Sequence, residues 1–524
     1  MKKFFTFCLL LFLTISANSQ NEMYLENVIS QFSQVQKKGN LFVVNSLWDL
    51  KGRTLVLPKN SVLSFSEKGQ IVNGKIRGHF SRITNPRFND IHFWGTFLNE
   101  EISLSDVSFG KHPDFWGILS SFPDATIILE TNIVPEILSS KDYKCSGLRI
   151  KGNGHTIKVR EFPIFRGAEV MLDNVIFDCN QATEYVVYAI GQGKQFEVIN
   201  CQFLNIPEIK HPLCPRAYSK VCIENNVFKG KMRETSSRSS QFSSCVLLYE
   251  CGGNITVRNN SISSCFGSGI NGIGFSKEKN TKVLIENNTI DRVSNGGIVF
   301  AGGDVWNVTV KGNRISNTHF LGKQFPNENN GGPNSAINFH GFHNVVVENN
   351  IIKNCCNSSC FDFDGSLSGK NSVEKGFNLV VKNNKFLEVC GGALFVVDDV
   401  LFEDNILETG SANVSQSIIS VSGSKNIKIH RNSFRLSKGN AKAYYPLYVS
   451  DTGSVGSGLV SISGNEIYSD DKHFVFINSR YTGNCKIGKN SIKKSGRADG
   501  TLFIVNNSKT KVDIPKKSKF VKYK

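Results

Sequence analysis

Residues Val283 to Ile290 read VLIENNTI, and close variants of this stretch recur along the chain. The same pattern appears as VCIENNVF at Val221 to Phe228, VVVENNII at Val345 to Ile352 and LVVKNNKF at Leu379 to Phe386. Each copy has alternating apolar residues, then an asparagine, one variable residue and a final apolar residue. A short unit that recurs with variable inserts is typical of a solenoid, in which similar coils stack and loops of different length project from them.

One asparagine anchors each copy of the unit. The anchoring residues are Asn174, Asn200, Asn226, Asn260, Asn288, Asn313, Asn350, Asn384, Asn405, Asn432, Asn465 and Asn490. The period-two alternation before them indicates short strands. Asparagine suits the bend between two strands, because it tolerates the left-handed backbone region and can bond to the asparagine of the next coil, about 4.8 Å away. We therefore expect an all-β fold, a right-handed parallel β-helix, and we assign these asparagines to architecture.

The start of the chain has the features of an export signal. Lys2 and Lys3 precede an apolar run from Phe4 to Ile15, and small residues follow up to Ser19. We expect residues 1–19 to be removed near Ser19, which predicts a secreted, periplasmic or cell-surface protein. No later run of about 20 apolar residues is present, so we expect no membrane span.

The remaining chain divides into four predicted parts. Met23 to Lys38 has apolar residues at helical spacing, so residues 20–50 are expected to form a cap with a helix over the open end of the stack. Residues 51–144 are expected to form a small N-terminal β segment and a connection, and residues 145–507 the β-helix. Residues 508–524 form a basic tail.

The charge favours an anionic partner. The formal net charge is +17 over 524 residues, and removal of the two leader lysines would leave +15. The basic residues are spread along the chain and no nucleic-acid-binding motif is present, so we expect no nucleic acid partner. For an exported protein the expected partner is a polysaccharide, anionic or neutral, and we expect a monomer.

The cysteines follow the repeat. Cys265 and Cys355 occupy a position where Val293 and Thr318 stand in other copies, which favours small buried side chains over a disulfide framework. Cys356 and Cys360 lie near Cys355, but no second cluster of paired ligands follows, so we expect no zinc site.

Two further stretches carry a resemblance to a known family. Leu55 to Gly78 reads LVLPKNSVLSFSEKGQIVNGKIRG, and Leu148 to Ile157 reads LRIKGNGHTI. They resemble the opening segment and the first coil of pectin-lyase-like right-handed parallel β-helix proteins, especially secreted bacterial members. The resemblance covers most of residues 51–507. It implies the fold but not one reaction, since the family includes pectate and alginate lyases, polygalacturonases, epimerases and non-catalytic adhesins. The Gly-Asp-Gly-x-x-Asp-Asp segment of many relatives is absent, and Phe109 to Ala125 stands in its place.

Alignment of the strand that follows each Asn unit predicts a polar patch. In this alignment the outward pairs are Val299 and Ala301, Asn338 and His340, Asp362 and Asp364, and Phe395 and Val397, whereas Ile298, Phe300, Ile337, Phe339, Phe361 and Phe363 point inward. Of these four coils, only the middle two are polar at both outward positions. The patch therefore comprises two carboxylates with an Asn and a His beside them on the preceding coil.

Such a patch has the groups that glycoside hydrolysis needs. Asp362 and Asp364 are about 6.6 Å apart at their Cα atoms, so they could flank a glycosidic bond as general acid and base with a water between them. Mutual repulsion would raise one carboxyl pKa, and His340 beside Asp364 could tune the pair. Asn338 could bind a sugar hydroxyl. The arrangement resembles the aspartate cluster and nearby His of polygalacturonases, without their Asn-Thr-Asp and Gly-His-Gly strings.

The same residues leave other functions open. Carboxylates and an Asn carbonyl could instead hold calcium, which would favour a calcium-dependent polysaccharide lyase with Lys323 as the base; Lys323 lies on the long polar insert Asn317 to Ser335. Tyr448 and Phe476, further along the same sheet, are expected to face outward and stack on sugar rings. A non-catalytic carbohydrate-binding or structural surface protein is the remaining alternative, in which the aspartates only keep a strand soluble and begin a turn. We therefore leave open whether the protein is an enzyme, and calcium is the one cofactor expected as an alternative.

Overall fold

The computed structural model describes most of the chain in two compact units, Met1–Gln181 and Ala182–Lys524. The described residues are 22–31, 33–137, 142–160, 162–208, 211–231, 243–275, 280–301, 305–319, 335–355, 359–366, 376–389, 391–409, 417–436, 445–451, 458–468, 473–492, 503–506, 508 and 512–514. The predicted leader and most of the basic tail lie outside them. None of the helices in this part of the chain has the length and apolarity that a membrane span needs.

The first unit contains a mixed β segment and the earliest coils. Its strands are Glu22–Tyr24, Val35–Lys38, Leu41–Val44, Leu47–Asp49, Thr54–Val56, Val62–Phe65, Gln70–Thr84, Phe88–Phe97, Glu101–Leu104, Thr126–Leu129, Asp142–Lys144, Gly147–Lys151, Thr156–Lys158, Ile164–Arg166, Glu169–Asp173 and Ile176–Asp178. One short helix, Asp106–Phe109, ends where the segment that lacks the family motif begins, and a second helix, Phe115–Ser121, lies within that segment. Within the second helix Phe115, Ile118 and Leu119 are buried, so this segment contributes to packing.

The predicted capping helix is present but shorter than expected. An α-helix spans Leu25–Val28, and a 3₁₀ turn follows at Ile29–Gln31. The next residues, Val35–Lys38, form a strand that pairs antiparallel with Leu41–Val44. This pairing satisfies the strand's backbone groups, which explains why tertiary context overrides the helical spacing of the apolar residues.

The second unit is built from coils of three strands, each belonging to a different parallel sheet. We call these the first, second and third sheets, in the order in which a coil visits them. First-sheet strands are Tyr185–Ile190, His211–Arg216, Ser244–Tyr249, Ser268–Ile273, Ile298–Ala301, Ile337–His340, Phe361–Asp364, Gly392–Phe395, Ser417–Ser422, Tyr445–Ser450, His473–Ile477 and Phe503–Asn506. Second-sheet strands are Gln195–Ile199, Lys220–Glu224, Asn254–Arg258, Lys282–Glu286, Val305–Lys311, Phe342–Glu348, Gly376–Lys382, Val397–Glu403, Lys425–His430, Leu459–Ser463, Asn484–Ile487 and Val512–Asp513. Third-sheet strands are Gln202–Ile206, Val227–Gly230, Ser261–Ser263, Thr289–Asp291, Arg314–Ser316, Ile351–Lys353, Lys385–Val389, Ile406–Thr409, Ser433–Arg435, Glu466–Tyr468 and Ser491–Ile492.

In-register pairing stacks like side chains inside the coils. Phe300 pairs with Phe339, and Phe339 with Phe363, on successive first-sheet strands. Their ring centroids are 5.0 Å and 5.9 Å apart, and all three side chains are buried. Because an inward ladder of this kind fixes which face each neighbouring residue occupies, it also determines the outward positions that form the candidate site.

The bend between the second and third sheets contains a buried asparagine ladder. Its members are Asn226, Asn260, Asn288, Asn313, Asn350, Asn384, Asn405, Asn432, Asn465 and Asn490. At each step the side-chain Nδ2 donates to Oδ1 of the next asparagine at 2.9–3.0 Å. The ladder confirms the architectural role predicted for these residues.

Two details of the prediction are wrong. Asn174 and Asn200 are not ladder members, because Val175 and Cys201 occupy the equivalent buried position; the backbone N–H of Cys201 donates to Asn226 Oδ1 at 2.8 Å. In addition, the left-handed backbone belongs to the residue before the ladder, as at Asn225 and Asn259, both with φ of 56°. The residue with left-handed backbone therefore faces solvent, and the side chain of the ladder asparagine that follows it points into the core.

The described cysteines are all free thiols. Cys265 and Cys355 are buried, as their repeat position predicts. Cys265 lies next to a second buried thiol, with its Sγ 3.4 Å from Cys245 Sγ.

Candidate functional site

The predicted patch lies on the outer face of the first sheet. Strands Ile337–His340 and Phe361–Asp364 are neighbours, and their register places Asn338 opposite Asp362 and His340 opposite Asp364. The residues between them, including Phe339 and Phe363, point inward and are fully buried. The structure therefore brings together the four residues that the alignment predicts.

His340 forms an ion pair with Asp362, which lies diagonally across the strand pair, and not with its register partner Asp364. Its Nε2 lies 3.8 Å from Asp362 Oδ2, which is an ion pair rather than a hydrogen bond. The Asp362 carboxylate raises the pKa of His340 above its ordinary 6.5, although partial burial opposes the shift. The side chains of His340 and Asp362 are 44% and 34% exposed, so a ligand can reach both. The sequence suggested Asp364 as the nearest partner of His340, and the contact instead involves Asp362.

Asn338 is buried although it occupies an outward position. It is only 1% exposed, and its Oδ1 has no hydrogen-bond partner among the described residues. The preceding outward residues of the same row, Asn271 and Val299, are also buried. A buried acceptor without a partner costs about 1–3 kcal/mol. The predicted contact between Asn338 and a sugar hydroxyl would therefore require this side chain to become exposed.

Asp364 takes part in a turn as well as in the patch. Its Oδ1 accepts a hydrogen bond from the backbone N–H of Ser366 at 2.8 Å. This contact is the turn-forming role that the sequence offered as an alternative. It uses one carboxylate oxygen, so the turn and a chemical role for the second oxygen are compatible.

The next coil corrects the predicted register. Ala393 pairs with Asp362 and Phe395 with Asp364, whereas the alignment had placed Phe395 and Val397 there. Val397 is a buried residue of the second-sheet strand Val397–Glu403. The physical reason is Gly392, which pairs with Phe361. A Cβ at Gly392 would lie 2.3 Å from the Phe361 ring, so the ring occupies the space of a side chain at this inward position. The sequence therefore has no apolar residue here by which the inward position could be recognised.

The corrected register reveals a longer outward row. From Asp362 it continues through Ala393 and Ser420 to Tyr448 and Phe476. The sequence alignment missed Ala393 because it placed Phe395 opposite Asp362, and Ser420 is the partner of Ala393 on the following strand. The two intervening coils thus carry small side chains next to the acids.

Tyr448 and Phe476 face outward together, as predicted. Their ring centroids are 5.4 Å apart and their planes differ by 5°. The side-chain amide of Asn478 donates to the Tyr448 hydroxyl, which fixes the ring. Tyr448 is three coils from Asp362, or about 14 Å along the row. Lys323, the predicted lyase base, lies outside the described residues.

The described residues do not complete a metal site at the patch. Nowhere in them do three or more His, Cys, Asp or Glu side chains converge to hold a metal ion. Calcium takes six to eight oxygen ligands, and the patch offers only the carboxylates of Asp362 and Asp364 and the Asn338 carbonyl. Moreover, Asp362 Oδ2 already lies 3.8 Å from His340 Nε2. The patch residues alone therefore do not fit a calcium cage.

Comparison with known proteins identifies the family. The chain matches the family model for a right-handed β-helix region over residues 146–324 and 244–455, which together span more than half of it. No curated protein matches.

Several solved structures are similar. A mutant of the periplasmic alginate epimerase AlgG is 8% identical with a TM-score of 0.32, over 90% of this chain and 84% of that one. The Dettilon tailspike protein is 13% identical with a TM-score of 0.32, over 74% and 62%. A tailspike mutant of E. coli bacteriophage HK620 is 12% identical with a TM-score of 0.31, over 90% and 74%. These identities and scores carry no argument about activity. The match of the family model to more than half of its length shows that this chain belongs to the right-handed parallel β-helix family.

Proposed function

We propose that the outer face of the first sheet binds a polysaccharide and that Asp362 and Asp364 hydrolyse a glycosidic bond there. One observation carries the proposal: the register that sets Asn338 and His340 directly beside the two aspartates. Two carboxylates about 6.6 Å apart at Cα leave room for a water between them, which is the geometry of inverting hydrolysis.

The contacts of each carboxylate suggest its role. Asp362 Oδ2 lies 3.8 Å from His340 Nε2, and we assign Asp362 as the general base that removes a proton from the attacking water. Asp364 uses Oδ1 to accept the Ser366 N–H, and we assign its other oxygen the transfer of a proton to the leaving sugar oxygen. The water oxygen bonds to the anomeric carbon as the glycosidic C–O bond breaks.

The outward row beyond the acids fits a bound sugar chain. Ala393 and Ser420 leave space next to Asp362, and the parallel rings of Tyr448 and Phe476 offer an apolar platform further along. Sugar rings present apolar C–H faces that pack on aromatic rings. This platform needs no catalytic group, so it also supports the second candidate, a protein that binds a polysaccharide without cleaving it.

The excess of basic residues suggests that the polysaccharide is anionic. The predicted leader, residues 1–19, suggests that the protein acts in the periplasm, at the cell surface or outside the cell. Both points are part of the proposal.

Conservative substitutions of the aspartates test the proposal. Asp362→Asn and Asp364→Asn would each be assayed on a panel of neutral and acidic polysaccharides, by release of reducing ends and by absorbance of unsaturated products. We expect reducing-end release to fall about 10²- to 10⁴-fold in either variant. Asp399→Asn is the matched control, because Asp399 is exposed on the second sheet at a φ of 56° that asparagine tolerates.

Three outcomes would contradict hydrolysis. Unsaturated products that require calcium would identify a lyase. Binding without any product would support the non-catalytic candidate. Undiminished cleavage by both variants would move the chemistry to another part of the chain.

A further inference from the structure

A second concave surface lies on a different face of the coils. A cleft of about 420 Å³ crosses four neighbouring strands on the outer side of the second sheet. Lys282, Asn307 and Asn344 line one side of it, and Thr256, Leu284 and Thr309 line the other. None of these residues belongs to the aspartate patch, and the candidate chemistry does not use them.

The asparagine side of the cleft is held rigidly. The Asn344 side-chain amide donates to Asn307 Oδ1 at 3.0 Å, and the Asn307 amide donates to the Thr281 carbonyl at 3.1 Å. Asn378 continues this second ladder by donating to Asn344 at 2.9 Å. Both lining asparagines have positive φ, near 51° and 55°, which fixes them at the strand corner. Their polar atoms are therefore pre-organised, which lowers the entropy that a ligand must overcome.

An aromatic cluster borders the same side. Trp306, His343 and Phe377 occupy one row immediately before the second ladder. The rings of Trp306 and His343 stack with centroids 3.9 Å apart, and Phe377 lies 4.7 Å from His343 and is 38% exposed. An exposed aromatic edge beside amide and hydroxyl groups is the surface that carbohydrates select, because a sugar presents both hydroxyls and an apolar face.

The charges around the cleft leave one cation uncompensated. Beyond the threonine side, opposite charges pair across the coils: Arg258 with Glu224 at 2.8 Å and Lys311 with Glu286 at 3.6 Å. Lys282 has no ion-pair partner in the described part of the chain. Among the described residues, a ligand in the cleft therefore meets hydroxyl, amide and aromatic groups and the positive charge of Lys282.

We propose that this cleft is a second glycan-binding site, which takes a short segment of a sugar chain with an acidic group next to Lys282. Four strands span about 14 Å, which accommodates an oligosaccharide but falls far short of a stable protein interface. The inference takes from the proposed function only the class of ligand. Such a site would hold a long polymer while the first sheet acts on another part of it.

Binding measurements separate the two sites. Affinity electrophoresis in gels that contain polygalacturonate, alginate, a sulfated glycan or neutral dextran would compare the wild type with Lys282→Ala and with Thr309→Trp, which fills the cleft. We expect Lys282→Ala to lose about tenfold in affinity for the acidic polymers, the worth of one charge-assisted hydrogen bond. Thr309→Trp should lose at least as much, because the indole occupies the cleft. Lys486→Ala is the control, since Lys486 is exposed on the same outer face several coils away, and its affinity should not change.

Fluorescence gives an independent readout. The chain has four tryptophans, and Trp306 borders the cleft. Acidic oligosaccharide should change the emission of the wild type, and Trp306→Phe, which keeps a ring on His343, should abolish the change.

The two proposals fail in different ways. Unchanged affinity in both cleft variants, or loss of binding only after Tyr448→Ala, would overturn the second site and leave hydrolysis untouched. Conversely, Asp362→Asn should lower cleavage about 10²- to 10⁴-fold while the cleft still binds. If the protein cleaves no glycan but the cleft variants lose affinity, hydrolysis is refuted and the second site stands.

Discussion

Replacement of Asn350 by alanine should destabilise the protein strongly although the side chain touches no ligand. Asn350 is fully buried in the ladder. Its Oδ1 accepts the backbone N–H and the side-chain amide of Asn313 at 2.8 and 3.0 Å, and its Nδ2 donates to the Val310 carbonyl and to Asn384 Oδ1, both at 2.9 Å. Alanine removes all four bonds and orphans the Asn313 N–H in the core. One orphaned buried group costs about 1–3 kcal/mol, so with the remaining lost bonds we expect about 3–5 kcal/mol.

Urea denaturation followed by far-ultraviolet circular dichroism measures this loss. The neighbouring Asn349→Gly serves as the control, because Asn349 is exposed and its φ of 57° suits glycine. The control should change the free energy of unfolding by less than about 1 kcal/mol. Equal effects of the two substitutions would refute the view that the buried ladder, rather than the bend itself, stabilises the coil.

Three further outcomes follow from the structure. NMR should show that the pKa of His340 lies above 6.5, and Asp362→Asn should lower this pKa. Because the pKa is raised in the folded state, the ion pair should stabilise the fold below pH 6.5 and lose this effect as the pH rises through the raised pKa. An unshifted His340 would remove the argument that Asp362 is the base. Phe476→Ala should weaken polysaccharide binding about tenfold by affinity electrophoresis without unfolding the protein, and an unchanged affinity would exclude the ring platform. Gly392→Ala should lower the urea midpoint by an amount equivalent to about 1–3 kcal/mol, because its Cβ would meet the Phe361 ring at 2.3 Å, and a neutral effect would contradict the register.

The register of the two strands at the patch could be predicted because every inward position there holds a large apolar residue. Ile337, Phe339, Phe361 and Phe363 are all large and apolar, so alternation alone identifies the outward positions between them. One coil later the inward position opposite Phe361 is Gly392, which has no side chain to mark it. The alignment of apolar residues was therefore shifted by two positions on this coil. A shift of two keeps residues on the same face of the strand, but it assigned Phe395 and Val397 as neighbours of the aspartates instead of Ala393 and Phe395.

Other features depend on contacts that no local pattern contains. Asn174 and Asn200 look like ladder residues in the sequence, but each stands one position early, at the left-handed bend. Likewise, the strand Val35–Lys38 looks helical until its partner Leu41–Val44 is known. The burial of Asn338 and the diagonal contact between His340 and Asp362 also follow from three-dimensional packing.

A crystal structure of the Asp362→Asn variant with an oligosaccharide from the polymer that the wild type cleaves would locate the bound sugar directly. We expect the sugar chain to lie on the outer face of the first sheet, with a glycosidic oxygen within hydrogen-bond distance of Asp364 and a ring on Tyr448. An oligosaccharide bound only elsewhere, with the patch open to solvent, would contradict this expectation.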